Sequence, residues 1–235
     1  HYSKNHVHRV MKAINIHSVI RRKRKKYQSS NPEATEENIL NRDFYAKAPN
    51  EKWTTDVTEF KWYEGPVVHK LYLSAILDLY DLSPVAWVVS RRNDNKLVLD
   101  TFAKAIRSNP DAKPIFHSDR GFQYTSKIFQ DKLRKQGMTQ SMSRVGHCID
   151  NGPTENFWSI VKSEMYYLDT FTDEASLRNA IADYMSFYST DRIQERFKGK
   201  APAEVRAEAL AADSPAQYPI PVNKRIQKYK ACYAA

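Results

Sequence analysis

The sequence predicts an α/β fold: a mixed five-stranded sheet flanked by helices, with a short basic helix ahead of it. Three observations carry this. Three strand-like stretches follow one another across residues 53–90, with connections too short for anything but antiparallel pairing. Two later strand-like stretches alternate with helical ones, the pattern of parallel strands joined by crossovers. Apolar residues in the helical stretches recur every three or four positions, so each helix has one face for the sheet.

The elements follow in order. Residues 3–15 read as a helix that Ser3 caps, with Val7, Val10, Met11 and Ile14 on one side and Lys4, His8, Arg9 and Lys12 around the rest. Its form suits the last helix of a helix-turn-helix. Residues 27–50, with Ser29-Ser30-Asn31-Pro32 and then polar and acidic groups, read as a linker. The body begins near Trp53. Residues 53–63 alternate and are rich in Thr, Val, Phe and Tyr; Glu64-Gly65-Pro66 is a turn; 67–79 and 84–90 complete a meander. A helix is expected over 95–107, a buried strand over 114–118, a helix over 125–136 capped by Thr125 or Ser126, and a strand over 138–142. A long helix follows over 153–166 with Pro153 in its first turn. Two more are expected, over 172–188 capped by Thr172 and over 201–211 with Pro202 in its first turn. The domain reading is therefore 1–26 basic helical segment, 27–50 linker, 51–213 core with C-terminal helices, and 214–235 basic tail.

Composition narrows the class. No stretch approaches the roughly 18 consecutive apolar residues that a membrane span needs, and no membrane partner is expected. The basic first 26 residues are not a secretory signal. The chain begins at His1, not Met, which suggests a trimmed or processed start. Two cysteines, Cys148 and Cys232, give neither a disulfide framework nor a zinc spacing, so a reducing, cytoplasmic setting is expected. Net charge is +10, unevenly placed: residues 1–50 carry +7, 214–235 carry +4 and 51–213 carry −1. Arg21, Arg22, Lys23, Arg24, Lys25 and Lys26 are consecutive cations that repel one another unless a polyanion neutralises them, and a phosphate backbone is the natural one. A solvated charged face is the plainer alternative. With Arg9 and Lys12, these are the candidate DNA contacts.

Three acids stand out by position. Asp56 lies mid-strand, where Asp is disfavoured. Asp119 directly follows a buried strand, and Glu155 sits in the first turn of the helix after 152. The strands carrying the first two are expected to be neighbours, with that helix returning beside them. Three converged carboxylates need counter-charge, and two divalent cations, Mg²⁺ or Mn²⁺, supply it with oxygen ligands. Singly, each acid is equally a surface charge, and Glu155 alone merely suits a helix N-terminus. Lys162 lies two turns after Glu155, placed to hold phosphate, or is an ordinary exposed lysine. Asn151 and Asn156 are candidate supporting groups, although Asn151-Gly152 is equally a turn. His117, Ser118 and Asp78 are weaker candidates, and His117 is equally a core histidine.

The segments WTTDVTEF, HSDRGFQYTS and DNGPTENFWSIVKSE resemble the three motifs of the DDE transposases and retroviral-type integrases, with 35 residues between Asp119 and Glu155 as in that group. NRDFYAKAPNEKW and FYSTDRIQERFKGKAPAEVR extend the resemblance, over roughly residues 1–210, toward OrfB-type transposases of the IS-three family of insertion sequences. The resemblance implies an RNase H-like core in which Asp56, Asp119 and Glu155 bind metal and catalyse, and Lys162 contacts DNA near the cut. It implies that water nicks the element's end and that the freed 3′-hydroxyl attacks another phosphodiester, with no covalent protein intermediate. It also implies terminal repeats and target DNA as partners, at least a dimer to pair two ends, and a bacterial nucleoid setting. A plain RNase H-like nuclease or junction resolvase would use the same acids, and a DNA-binding protein with a dead catalytic domain is the other alternative, although all three acids and Lys162 are present.

Overall fold

The alternation across the first strand-like stretch gives β1 (Lys52–Glu64), which pairs antiparallel with β2 (Val67–Asp78) along its whole length, Trp53 opposite Asp78 and Glu64 opposite Val67. A computed structural model of the chain describes residues 2–16, 36–145 and 148–220, together with Gln227 and Ala231. β3 (Pro84–Ser90) completes the antiparallel meander. β4 (Ile115–Ser118) joins the other edge of β1 in parallel, and β5 (Thr139–Met142) joins β4 in parallel. The sheet order is β3-β2-β1-β4-β5, the mixed sheet that the alternation of elements predicts.

Period-two alternation sends the two faces of β1 to different cores. Phe60 joins Leu71, Leu73, Ala75 and Leu77 of β2 beneath α5 (Gly152–Glu164) and α6 (Glu174–Thr190), against Phe157, Val161, Leu177 and Ile181. Trp53 joins Ile76 and Phe116 on the other face, beneath α2 (Asn95–Ser108) and α4 (Lys127–Lys135), against Val98, Phe102, Phe129 and Leu133. Helices therefore cover both faces. Phe60 and Phe116 are fully buried, and truncating either to Ala costs about 3–5 kcal/mol.

Several boundaries differ from expectation. The helix expected over 125–136 is two, α3 (Phe122–Thr125) and α4, with Ser126 extended between them. Neither hydroxyl caps α4: Ser126 Oγ donates to the Gln123 carbonyl and Thr125 Oγ1 to that of Phe122, satisfying acceptors at the end of α3. Asp173, not Thr172, caps α6, accepting from the Ser176 N–H. α7 (Pro202–Ala211) starts at Pro202, and Glu204 accepts from the Ala201 N–H.

Of the expected linker 27–50, residues 27–35 lie outside the described residues, and the rest is not a linker. Leu40, Phe44 and Ala46 are buried with Leu79, Tyr80, Phe197, Val205 and Tyr218 in a third core, because each apolar side chain there finds a partner on the body. Tyr218 also shows that the basic tail begins as packed chain, its ring 5.1 Å from that of Phe197. α1 (Lys4–Ala13) is capped by Ser3 as expected and has no buried residue. No helix among the described residues is long and apolar enough to cross a membrane.

Candidate active site

The site forms where the sheet runs out. β4 pairs with β1 only from Lys52 to Thr54, and both strands continue toward their acids in parallel. Asp56, in mid-strand on β1, and Asp119, just past the carboxyl end of β4, thus stand on adjacent parallel strands at the point where their pairing ends. Both side chains keep partial contact with solvent while protein surrounds most of each.

α5 is fastened across that end by hydrogen bonds that reach β1 just before Asp56. Asn151 Nδ2 donates to the Thr55 carbonyl (3.2 Å), Thr154 Oγ1 donates to Asn151 Oδ1 (3.0 Å), and the Thr154 and Thr54 hydroxyls are 2.8 Å apart. Glu155 follows Thr154 and is exposed. One turn on, Trp158 Nε1 donates to Asp56 Oδ2 (3.1 Å), while the Val57 N–H donates to Asp56 Oδ1 (2.7 Å). The Gly121 N–H donates to Asp119 Oδ1 (2.8 Å), and a Cβ at Gly121 would stand 2.9 Å from that oxygen. Gly121 is required here by close approach.

The electrostatics ask for a cation. Burial first, and then the charge of Asp119, push the Asp56 carboxyl well above the usual carboxylate range, with Glu155 adding to it. Burial also raises Asp119 and Glu155. The groups opposing the rise at Asp56 are neutral N–H donors. Oxygen donors with surplus negative charge, partly open to solvent, fit hard divalent cations. The set is not closed in advance: among the described residues, no three His, Cys, Asp or Glu side chains already converge as a metal cage.

The other expected residues scatter. Lys162 lies two turns beyond Glu155 on α5, its ammonium 5.5 Å from the centre of the Phe60 ring. Asn156 is exposed on the same helix. His117 does not join the acids: its ring is buried between Ser141 Oγ (2.9 Å) and Ser143 Oγ (3.2 Å), and burial lowers its pKa to about 4. It is the core histidine of the two readings. Ser118 Oγ turns back to the Asp119 carbonyl. Asp78 ends β2 opposite Trp53, at the start of β1, and is taken up by Arg206, which bridges it to Asp81. Arg9 and Lys12 are exposed on α1, and Arg21–Lys26 lie outside the described residues. Sequence reasoning missed Trp158, Thr154 and Asp150. Trp158 carried a signal, since its place one turn after Glu155 puts it on the same helical face.

Comparison with known proteins matches this chain to the integrase core domain family over residues 46–148, and to a second family description of the same name over 155–210. The chain is 38% identical, over 85% of its length and 70% of the relative's, to a putative transposase, InsK, for insertion sequence element IS150 of Escherichia coli. It is 40% identical to an uncharacterized transposase-like protein of Haemophilus influenzae, over 80% of this chain and 86% of that one. Its fold matches the HTLV-2 integrase catalytic core domain, solved in complex with magnesium, at TM-score 0.52 and 21% identity over 68% of this chain and 97% of that chain. A simian T-cell lymphotropic virus intasome chain matches at TM-score 0.59 and 17% identity, over 86% of this chain and 66% of that chain.

Proposed function

The chain belongs to the IS3-family transposases, which carry an integrase core domain, and from that membership we propose that it nicks the ends of a mobile DNA element and joins each freed 3′-hydroxyl to another phosphodiester. The observation that carries the reading is that Asp56 and Asp119 stand on adjacent parallel strands where their pairing ends, with the Glu155 helix pinned beside them and no cation among the groups that hold Asp56.

Asp56, Asp119 and Glu155 would hold two Mg²⁺ or Mn²⁺ ions. When bound, such a pair supplies charge that activates the attacking oxygen and stabilises the leaving one. The chain's own groups do the rest. Trp158 and the Val57 N–H fix the Asp56 carboxylate, and the Gly121 N–H fixes that of Asp119. Lys162 holds a phosphate near the cut. In the first step a water oxygen bonds to phosphorus, the P–O3′ bond breaks, and the 3′-oxygen leaves with a proton. In the second, that hydroxyl loses its proton and attacks another phosphorus, releasing a new 3′-end.

The segment 1–26 and the cations after residue 221 supply salt-dependent grip on DNA, around a core of nearly neutral charge. Pairing two element ends calls for at least two copies of the chain. The test incubates the protein with labelled element-end DNA and Mg²⁺. Joined products are expected. Cleavage alone would indicate a nuclease, and binding alone an inactive DNA-binding protein.

A further inference from the structure

Asp150 is fully buried and carries no role in the chemistry above. It lies in the 3-10 turn Cys148–Asn151 that runs directly into α5. Both of its oxygens are saturated. Oδ1 accepts from Arg42 Nε and from Arg144 Nη2 (3.0 Å); Oδ2 accepts from Asn38 Nδ2 (2.8 Å), Arg144 Nε (2.8 Å) and the Arg144 N–H (3.0 Å). A buried carboxylate held by two guanidiniums and an amide is fixed in position and orientation.

Two of those donors come from a stretch ahead of residue 46, where the match to the integrase core domain begins. That stretch is itself anchored to β5, because the Leu40 N–H donates to Ser141 Oγ (2.9 Å) and the Met142 N–H donates to the Glu37 carbonyl (3.2 Å). Asn151, next after Asp150, does not cap α5. Its amide instead bridges the Thr55 carbonyl and Thr154 Oγ1. The route from Asp150 to Glu155 is therefore short and rigid: a held carboxylate, a turn residue bonded to β1, a threonine bonded to both, and then the acid.

We propose that Asp150 is a positioning residue for Glu155, acting through Asn151 and Thr154, and that Asn38 and Arg42, by closing on Asp150, make the stretch ahead of the core part of the active-site scaffold. The proposal rests on the reading that Glu155 is one of the metal-holding acids. Arg144 is Asp150's partner within the core, so loss of Arg42 loosens the arrangement and loss of Asp150 releases it. A helix start that wanders leaves Glu155 less often beside Asp56, and metal affinity falls. Groups that orient metal ligands without touching the metal typically set affinity by about 10–100-fold.

The test titrates the full chain, stripped of metal, with Mn²⁺ and reads the rise in melting temperature; nicking of labelled end DNA is measured against Mn²⁺ in parallel. Asp150→Asn is expected to raise the half-saturating Mn²⁺ concentration by about tenfold in both readouts, to recover nicking at high Mn²⁺, and to bind end DNA in EDTA as the unaltered chain does. Arg42→Ala shifts the same way by less, and Arg42→Lys recovers part of the loss. Should Asp150→Asn fail to fold, Thr154→Val carries the test, since it cuts the route without touching the buried ion cluster. Folded variants that bind Mn²⁺ as tightly as the unaltered chain overturn the positioning role alone. An unaltered chain whose melting temperature does not respond to Mn²⁺, with Asp119→Asn indistinguishable from it, overturns the metal reading and the positioning role together.

Discussion

Trp158 Nε1 donates a 3.1 Å hydrogen bond to Asp56 Oδ2, tying the helix that carries Glu155 to the strand that carries the first acid. The bond joins residues 102 positions apart and, with the Val57 N–H on Oδ1, holds both oxygens of the Asp56 carboxylate. Removing the indole N–H while keeping an aromatic ring tests its worth. A hydrogen bond to a charged group contributes about 1.5–3 kcal/mol, so Trp158→Phe should slow nicking by roughly tenfold or more. Single-turnover rates at saturating DNA measure this, with DNA affinity unchanged. An unaltered rate would remove Trp158 from the site.

Asp119→Asn should abolish nicking and joining while leaving DNA binding intact. The same change should make the metal-free protein more stable. Asp56 and Asp119 repel each other without an ion between them, and replacing one acid with a neutral amide relieves that. Melting in EDTA should show the variant above the unaltered chain, and melting with Mg²⁺ should show the gap narrowed or reversed. Retained joining by the variant would refute the assignment of Asp119.

Gly121→Ala separates the position of the carboxylate from its presence. The backbone there has ordinary negative φ, so alanine is not strained by its own geometry. Its Cβ would still stand 2.9 Å from Asp119 Oδ1 and 3.1 Å from Gln123 Oε1, and the acid must move. Activity should fall on the order of tenfold, as expected for a catalytic group displaced by a fraction of an ångström. Circular dichroism and melting should change little. Full activity would show that Asp119 tolerates displacement.

Acid stability should depend on Asp150. Burial alone would push its carboxyl up, but Arg144 and Arg42 overcome this and hold it well below the usual carboxylate range. A depressed folded-state pKa contributes stability above the unfolded-state pKa of about 4, and that contribution is lost as pH falls below it. Urea midpoints measured from pH 6 down to pH 2 should fall for the unaltered chain and fall less steeply for Asp150→Asn. Parallel curves would mean that Asp150 with Arg42 and Arg144 contributes nothing to the acid transition.

The sequence makes the sheet legible because β1 and β4 each announce themselves locally, by alternation or by a short apolar run. Of the three candidate acids, Asp56 stands out because it breaks a local pattern in mid-strand, and Asp119 and Glu155 only by their places after a buried strand and at a helix start. Trp158, Thr154 and Asp150 are not legible in this way. A Trp on a helix reads as core, a Thr as a neutral filler and an Asp before Asn-Gly as a turn. Their roles exist only once β1 lies against α5, and periodicity says nothing of which polar atoms then meet. The stretch 36–46 reads as linker in the sequence because its buried residues, Leu40, Phe44 and Ala46, follow neither a helical nor a strand period. His117 had two open readings, and the two serines of the neighbouring segment decide between them.

The short pairing of β4 with β1 bears on how the chain reaches its native state. Trp53 meets Asp78 and Glu64 meets Val67 across a hairpin that is local in the chain, whereas Thr54 meets His117 only after a helix has been crossed. Local contacts close a small loop and distant ones a large loop, so the hairpin is favoured to form first. Asp56 is then already placed on a folded hairpin before Asp119 and the Glu155 helix arrive. The mutual repulsion of the acids is met only when β4 and α5 dock, as Phe116, Phe157 and Val161 close the two cores. Pulse-labelled hydrogen exchange should find the amides of β1 and β2 protected before those of β4, and simultaneous protection would contradict this order. A chain that folds in this sequence keeps its three acids apart until the rest of the body is formed.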